Sequence, residues 1–102
     1  MQNYEIKRGH GQIVEEEGLA NIVREVFGVG EEHEDGSVTT SFGALRSLRV
    51  RLRSPKVLEV ETTMDPGVDD RTAAETIRRY NEFLHRTTGF TAKERKKRAQ
   101  KR

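Results

Sequence analysis

The stretch "SLRVRLRSPKVLEVETT", residues 47–63, constrains the fold of this chain more than any other. Leu48, Val50 and Leu52 alternate with Arg49, Arg51 and Arg53, and Leu58 and Val60 alternate with Glu59 and Glu61. Successive side chains of a strand point to opposite faces, so each segment predicts a strand with one apolar and one charged face. "SPK" between them is turn chemistry and predicts an antiparallel hairpin. For the aliphatic residues to share a face, partners across the turn must keep the same parity. A three-residue loop then sets Arg51 opposite Glu59 and Arg49 opposite Glu61; a five-residue loop sets Arg53 opposite Glu59 and Arg51 opposite Glu61. In either register the arginines meet carboxylates. That assigns them to cross-strand support, worth a few tenths to about 1 kcal/mol per pair, rather than to a polyanion site. A sheet with one apolar face must also be covered on that face.

Two amphipathic segments can cover it. In "EEEGLANIVREVFG" the positions Leu19, Ile22, Val23, Val26 and Phe27 form one helical face. Glu15, Glu16 and Glu17 suit the positive end of that helix, and Gly28 suits its left-handed terminus. In the second segment Asp69, Asp70 or Thr72 can cap the start, and Ala73, Ile77, Tyr80 and Leu84 share a face. Glu75–Arg79 and Glu82–Arg86 are acid-to-base pairs at i, i+4. Gly89 ends this helix, and Phe90 is expected to fold back on Leu84 in a Schellman closure.

Between and before the helices lie further strands. "NYEIKR" turns Tyr4 and Ile6 to one side before "RGHGQ" breaks it. In "VGEEHEDGSVTTSF" the Asp35-Gly36 pair suits a two-residue turn, which places Val29 opposite Phe42 and His33 opposite Val38. Pro66-Gly67 suits a type II turn. The expected core is Leu19, Ile22, Val26, Leu48, Val50, Leu52, Val60, Ile77 and Leu84, with Phe90 the last packed residue. Leu, Ile, Val and Phe supply 23 of 102 residues, so this core is thin.

Charge is distributed unevenly. Lys93, Arg95, Lys96, Lys97, Arg98, Lys101 and Arg102 face a single acid, Glu94, within the last ten residues. That segment is +6, which leaves −4 on the rest of a chain of net charge +2. Thr91 and Glu94 are spaced as a capping box, so a helix can start there, although only Ala92 and Ala99 share a face and nothing else anchors it. These seven basic residues are the candidate nucleic-acid-binding set, since Lys and Arg that neutralise phosphates release condensed counterions without reading bases. The expected division is a single α+β domain over residues 1–90 and a basic arm, helical or disordered, over 91–102.

Catalytic and metal signatures are weak. His10, His33 and His85 fall on separate elements, and "EEHEDG" has neither a zinc nor a calcium spacing. "RGHG" and "DPG" lack the rest of a phosphate loop, and Ser37, Ser41 and Ser47 lie in no nucleophile elbow. The expectation is a non-enzymatic protein with no cofactor and no metal. Absence of cysteine, of a secretory h-region and of about 18 consecutive apolar residues predicts a cytoplasmic protein that does not enter membranes.

The resulting order, β-α-β-β-β-β-α, is similar to a single repeat of the TATA-box-binding-protein-like fold, a two-layer sandwich of helices on a curved antiparallel sheet. The run "GVDDRTAAETIRRYNEFLHRTTGFTAKERKKR" resembles a small archaeal family of uncharacterised proteins described with that fold. The resemblance implies architecture and an archaeal, cytoplasmic origin. It does not extend to TATA-like DNA bending, because the expected open sheet face carries Thr39, Ser41, Arg49, Arg51, Glu59 and Glu61 and no Phe pair to intercalate. The expected partner is DNA or RNA, bound through the arm with little sequence specificity. The alternatives are a protein-interaction or homodimerisation module, or a module holding a small apolar ligand, either of them with a merely solvated tail.

Overall fold

The computed structural model describes residues 2–100, with side chains through residue 97; Lys101, Arg102 and the side chain of Arg98 lie outside the described residues. The elements run β1 (Gln2–Glu5), α1 (His10–Glu17), α2 (Leu19–Phe27), β2 (Glu31–Glu32), β3 (Val38–Phe42), β4 (Leu45–Ser54), β5 (Val57–Met64), α3 (Asp70–Thr88) and α4 (Ala92–Gln100). The five strands form one antiparallel sheet in the order β1-β5-β4-β3-β2.

The alternating segments pair in the register of the three-residue loop: Arg49 lies opposite Glu61, Arg51 opposite Glu59 and Leu52 opposite Leu58. Val38, Leu48, Val50, Leu58 and Val60 thereby point to one face. They form a single buried cluster with Val14 of α1, Ile22, Val23 and Val26 of α2, and Phe83 and Leu84 of α3. Phe27 ties the helices to the sheet, its ring centroid 5.9 Å from that of Phe42 and 5.6 Å from that of Phe83.

Several local expectations are corrected. The N-terminal helix is two helices, because Gly18 (φ 87°, ψ 124°) leaves helical geometry after its N–H closes on the Val14 carbonyl at 2.9 Å. The first of them begins at His10, where a break was expected. Glu15, Glu16 and Glu17 therefore sit in the last turn of α1 rather than at the start of a helix. Gly11 explains how α1 seats: a Cβ there would lie 2.1 Å from the Pro55 carbonyl oxygen, so only glycine lets the helix rest on the β4–β5 turn.

The acidic hairpin is shifted by one residue from the two-residue-turn register. Glu32, not His33, lies opposite Val38, and the His33 N–H donates to the Ser37 carbonyl at 2.8 Å. A three-residue loop of Glu34, Asp35 and Gly36, with Gly36 at φ 85°, satisfies the strand twist as well as a two-residue turn would. β2 is accordingly too short for Val29, which is exposed, to meet Phe42.

The buried face of α3 is rotated from the aliphatic one. Thr76, Phe83, Leu84, Thr87 and Thr88 are buried, whereas Ile77, expected in the core, is 54% exposed. Threonine can occupy the interior here because its hydroxyl is satisfied within the helix: Thr76 donates to the Thr72 carbonyl (2.7 Å), Thr87 to Phe83 (2.9 Å) and Thr88 to Leu84 (2.6 Å). Thr76 also accepts the Ala44 N–H at 2.9 Å, pinning the β3–β4 turn under α3. Leu19 and Leu52 pack against the core only partly buried, and the expected core residues other than these and Ile77 are buried. Asp69 caps α3, accepting from the Thr72 N–H at 3.0 Å. At the far end the Gly89 N–H meets the His85 carbonyl at 2.9 Å, and the Phe90 N–H turns to the Thr88 hydroxyl at 3.2 Å; the closure is an αL cap, not a Schellman motif.

Candidate nucleic-acid interface

Within the basic arm, Ala92–Gln100 form helix α4, and its start is built as the sequence suggests. The Thr91 N–H donates to the Glu94 carboxylate at 3.0 Å, and the Glu94 N–H donates back to the Thr91 hydroxyl at 3.2 Å. These bonds from Thr91 hold the Glu94 carboxyl below its usual range, with smaller contributions from Lys7 and His85. The capping carboxylate thus lies close to a lysine from the opposite end of the chain.

Arg95 departs from the expected set of free basic groups. Its guanidinium reaches back from α4, donating to the Phe90 carbonyl at 2.9 Å and to the Asn81 side-chain oxygen of α3 at 3.1 Å. Partial burial lowers its pKa, yet an arginine remains a cation at any physiological pH. Arg95 is therefore an anchor, and the expectation that nothing ties the arm to the body is corrected. Lys93, Lys96 and Lys97 are exposed and, spaced i, i+3 and i+4, share one stripe of α4; none makes an ion pair with a described residue. Of the remaining candidates, Arg98 falls on α4 with its side chain outside the described residues, and Lys101 and Arg102 lie wholly outside them.

The fold brings further cations to this end of the molecule that sequence reasoning did not select. The Ile6 N–H donates to the Lys56 carbonyl at 2.8 Å, and the Lys7 N–H donates to the Thr88 carbonyl at 2.7 Å. These two bonds join the segment after β1 to the β4–β5 turn and to the C-terminus of α3. Lys7, Arg8 and Lys56 consequently line an open cleft of about 990 Å³, together with Glu5, Glu15 and Phe90. No periodicity links residues 7, 8 and 56, so nothing in the sequence announced them.

Several charged groups elsewhere pair with one another. On the sheet face away from the core, Arg49 pairs with Asp35 at 2.6 Å and Arg51 with Glu59 at 3.5 Å. Hydrogen bonds from Ser37, more than Arg49, hold the Asp35 carboxyl down at about 2. Arg86 does not pair with Glu82; it turns to Glu25 at 2.6 Å and Glu17 at 3.8 Å, bracing α3 against the N-terminal helices. The expected Glu75–Arg79 pair is present at 3.3 Å.

The histidines stay apart. The His10 ring donates through Nε2 to the Arg86 carbonyl at 2.6 Å, and His33 Nε2 lies 2.8 Å from the Thr39 hydroxyl. Among the described residues no group of three or more His, Cys, Asp or Glu could hold a metal ion, and no helix is long and apolar enough to cross a membrane. A separate groove of about 200 Å³ opens between α3 and β5, lined by Leu45, Met64, Ile77 and Tyr80 among others. Ile77 is exposed because it faces this groove, where β5 runs on beyond β1.

The chain was compared with known proteins. A family model described as Domain of unknown function (DUF5611) matches residues 1–101. No curated protein and no solved structure matches it.

Proposed function

The chain belongs to the DUF5611 family, and we propose that it is a non-enzymatic nucleic-acid-binding protein that holds phosphates along α4 with little sequence specificity. The observation that carries this reading is the state of Lys93, Lys96 and Lys97. They are aligned on one helical stripe, exposed and free of ion pairs with described residues, on a helix that the capping box and Arg95 hold in place. A helix so held loses less conformational entropy on binding than a frayed tail would. The arginines of β4, engaged with Asp35 and Glu59, are not part of the proposed site.

The same proposal takes the architecture to be the two-layer, TATA-box-binding-protein-like arrangement in an archaeal, cytoplasmic protein, with residues 1–90 as the body and 91–102 as the arm. The sheet order and the single buried face support it. TATA-like bending is not included, because the open face presents Ser41, Arg49, Arg51 and Glu61 rather than an apolar wedge.

Fluorescence anisotropy across a salt series tests the reading. Binding to unrelated duplexes should be similar, and replacing Lys93, Lys96 and Lys97 with Ala should flatten the log–log salt slope by about 2.7 on duplex DNA. Failure of the unaltered protein to bind at about 50 mM salt, or superimposable titrations for both proteins, would overturn it.

A second reading has its own observation. Met64 and Ile77 are 46% and 54% exposed around the α3–β5 groove, which favours an interaction or homodimer face there. At about 200 Å³ the groove is below the roughly 300 Å³ at which small-ligand pockets begin, so an apolar ligand is the weaker alternative. Sedimentation at rising concentration tests self-association: a monomer throughout would remove the homodimer.

A further inference from the structure

The cleft beside α4 is built from three distant parts of the chain and carries exposed cations. Lys7 and Arg8 follow β1, and Lys56 is on the β4–β5 turn. Their side chains are exposed and make no ion pair with a described residue. Main-chain bonds set their positions: Ile6 N–H to Lys56 O at 2.8 Å, Lys7 N–H to Thr88 O at 2.7 Å and His10 N–H to Lys7 O at 2.9 Å. A Cβ on Gly89 would come within 3.0 Å of the Lys7 Cβ, which shows how closely this segment lies against the end of α3. Phe90 belongs to the cleft wall and Thr91 opens the capping box, so the cleft adjoins the start of α4. The influence of Lys7 on the Glu94 carboxyl agrees with that adjacency.

Resting on the reading that α4 binds phosphates, we infer that this cleft is the second half of the same site and that its ligand is single-stranded nucleic acid, running from the α4 stripe into the cleft.

Shape and charge together favour a strand. Lys7, Arg8 and Lys56 line a concavity of about 990 Å³, whereas Lys93, Lys96 and Lys97 stand on the outside of a helix. A duplex, stiff over about 50 nm, can lie against α4 but cannot bend into such a concavity within a few base pairs. A flexible single strand can follow both surfaces. The bases are not read: among the described residues that line the cleft, Phe90 alone is aromatic, and at 6% exposure it offers no stacking platform. Glu5 and Glu15 also line the cleft, so the contact it offers to phosphates is limited to Lys7, Arg8 and Lys56.

The experiment is a salt-dependent anisotropy titration with a fluorescein-labelled, twenty-nucleotide single strand of mixed sequence and with its duplex. It compares the full chain with Lys7→Gln/Arg8→Gln/Lys56→Gln and with Lys93→Gln/Lys96→Gln/Lys97→Gln. Six cations engaged on a single strand give a log–log slope near about −4.2, and loss of three gives about −2.1. Each triple variant should show that flattening and bind the strand at least about tenfold more weakly at roughly 100 mM salt. The unaltered protein should also prefer the strand to the duplex.

If the cleft variant titrates like the unaltered protein while the α4 variant weakens, the cleft has no role and the proposed function stands without it. Should neither variant differ from the unaltered protein, or should that protein bind no nucleic acid, both readings fall. Equal or tighter binding of the duplex overturns the single-strand assignment. The replaced side chains are exposed and the stitching bonds are main-chain, so the melting temperature should hold. If the cleft variant melts lower, Arg8→Gln/Lys56→Gln carries the test, with an expected flattening of about 1.4.

Discussion

Replacing Arg95 with Ala should release α4 from the body without unfolding the body. The side chain makes two bonds from one guanidinium, to Phe90 O at 2.9 Å and to Asn81 Oδ1 at 3.1 Å, in a half-buried position. A hydrogen bond from a charged donor contributes about 1.5–3 kcal/mol when desolvated. Screening at a half-exposed site reduces the two together to about 1–2 kcal/mol. That is comparable to everything else holding a nine-residue helix that is marginal alone. At tenfold per 1.4 kcal/mol, amide protection in α4 should fall about 5- to 30-fold, read by hydrogen exchange in NMR. The global melting temperature should move by no more than a few degrees, because the αL cap at Gly89 closes α3 independently of Arg95. Arg95→Lys should restore little of the protection, since one ammonium on a flexible stem does not reproduce the planar fork that reaches both acceptors. Unchanged protection in Arg95→Ala would refute the anchor. A fall in melting temperature of more than about 8 °C would show that α4 is part of the cooperative core instead.

Two other measurements probe the body. Leu84→Ala should lose about 2–5 kcal/mol in urea denaturation and Ile77→Ala less than about 0.5 kcal/mol, since Leu84 is buried and Ile77 is 54% exposed; similar losses would contradict the rotated face of α3. Asp35 titrates at about 2, below the unperturbed 3.8, so the anchoring of the acidic hairpin should be complete above pH 3.8 and vanish only as pH falls through about 2. NMR shifts of Asp35 and Ser37 followed down in pH check this, and a midpoint near 3.8 would remove the Ser37 and Arg49 bonds from the account.

Sequence legibility followed the range of the interactions involved. The β4–β5 register was readable because alternation and a turn length fix parity over adjacent residues, and the structure keeps Arg49 opposite Glu61 and Arg51 opposite Glu59. The capping box and the αL glycines at 28 and 89 were readable for the same reason: each is complete within a few residues. Legibility fails where local options are nearly equal in energy. A two- or three-residue loop serves the acidic hairpin equally well, and the choice shows only in the pairing of β2 with β3. The buried face of α3 is not legible in the sequence because threonine counts as polar in a hydrophobic pattern, although a helix carbonyl four residues back lets it pack as an apolar group.

What the sequence determined by itself was the five strands, the two amphipathic helices, the parity of the central strands and the concentration of positive charge after Phe90, all properties of neighbouring residues. Tertiary structure decided the rest. It took Arg95 out of the free set by giving it acceptors on Asn81 and Phe90, and it engaged Arg49 with Asp35 across fourteen residues. It also assembled Lys7, Arg8 and Lys56 beside α4. The physical reason is that a charge acts on whatever lies within a Debye length, about 8 Å at physiological salt, and which charges share that distance depends on how the chain closes on itself rather than on their order along it.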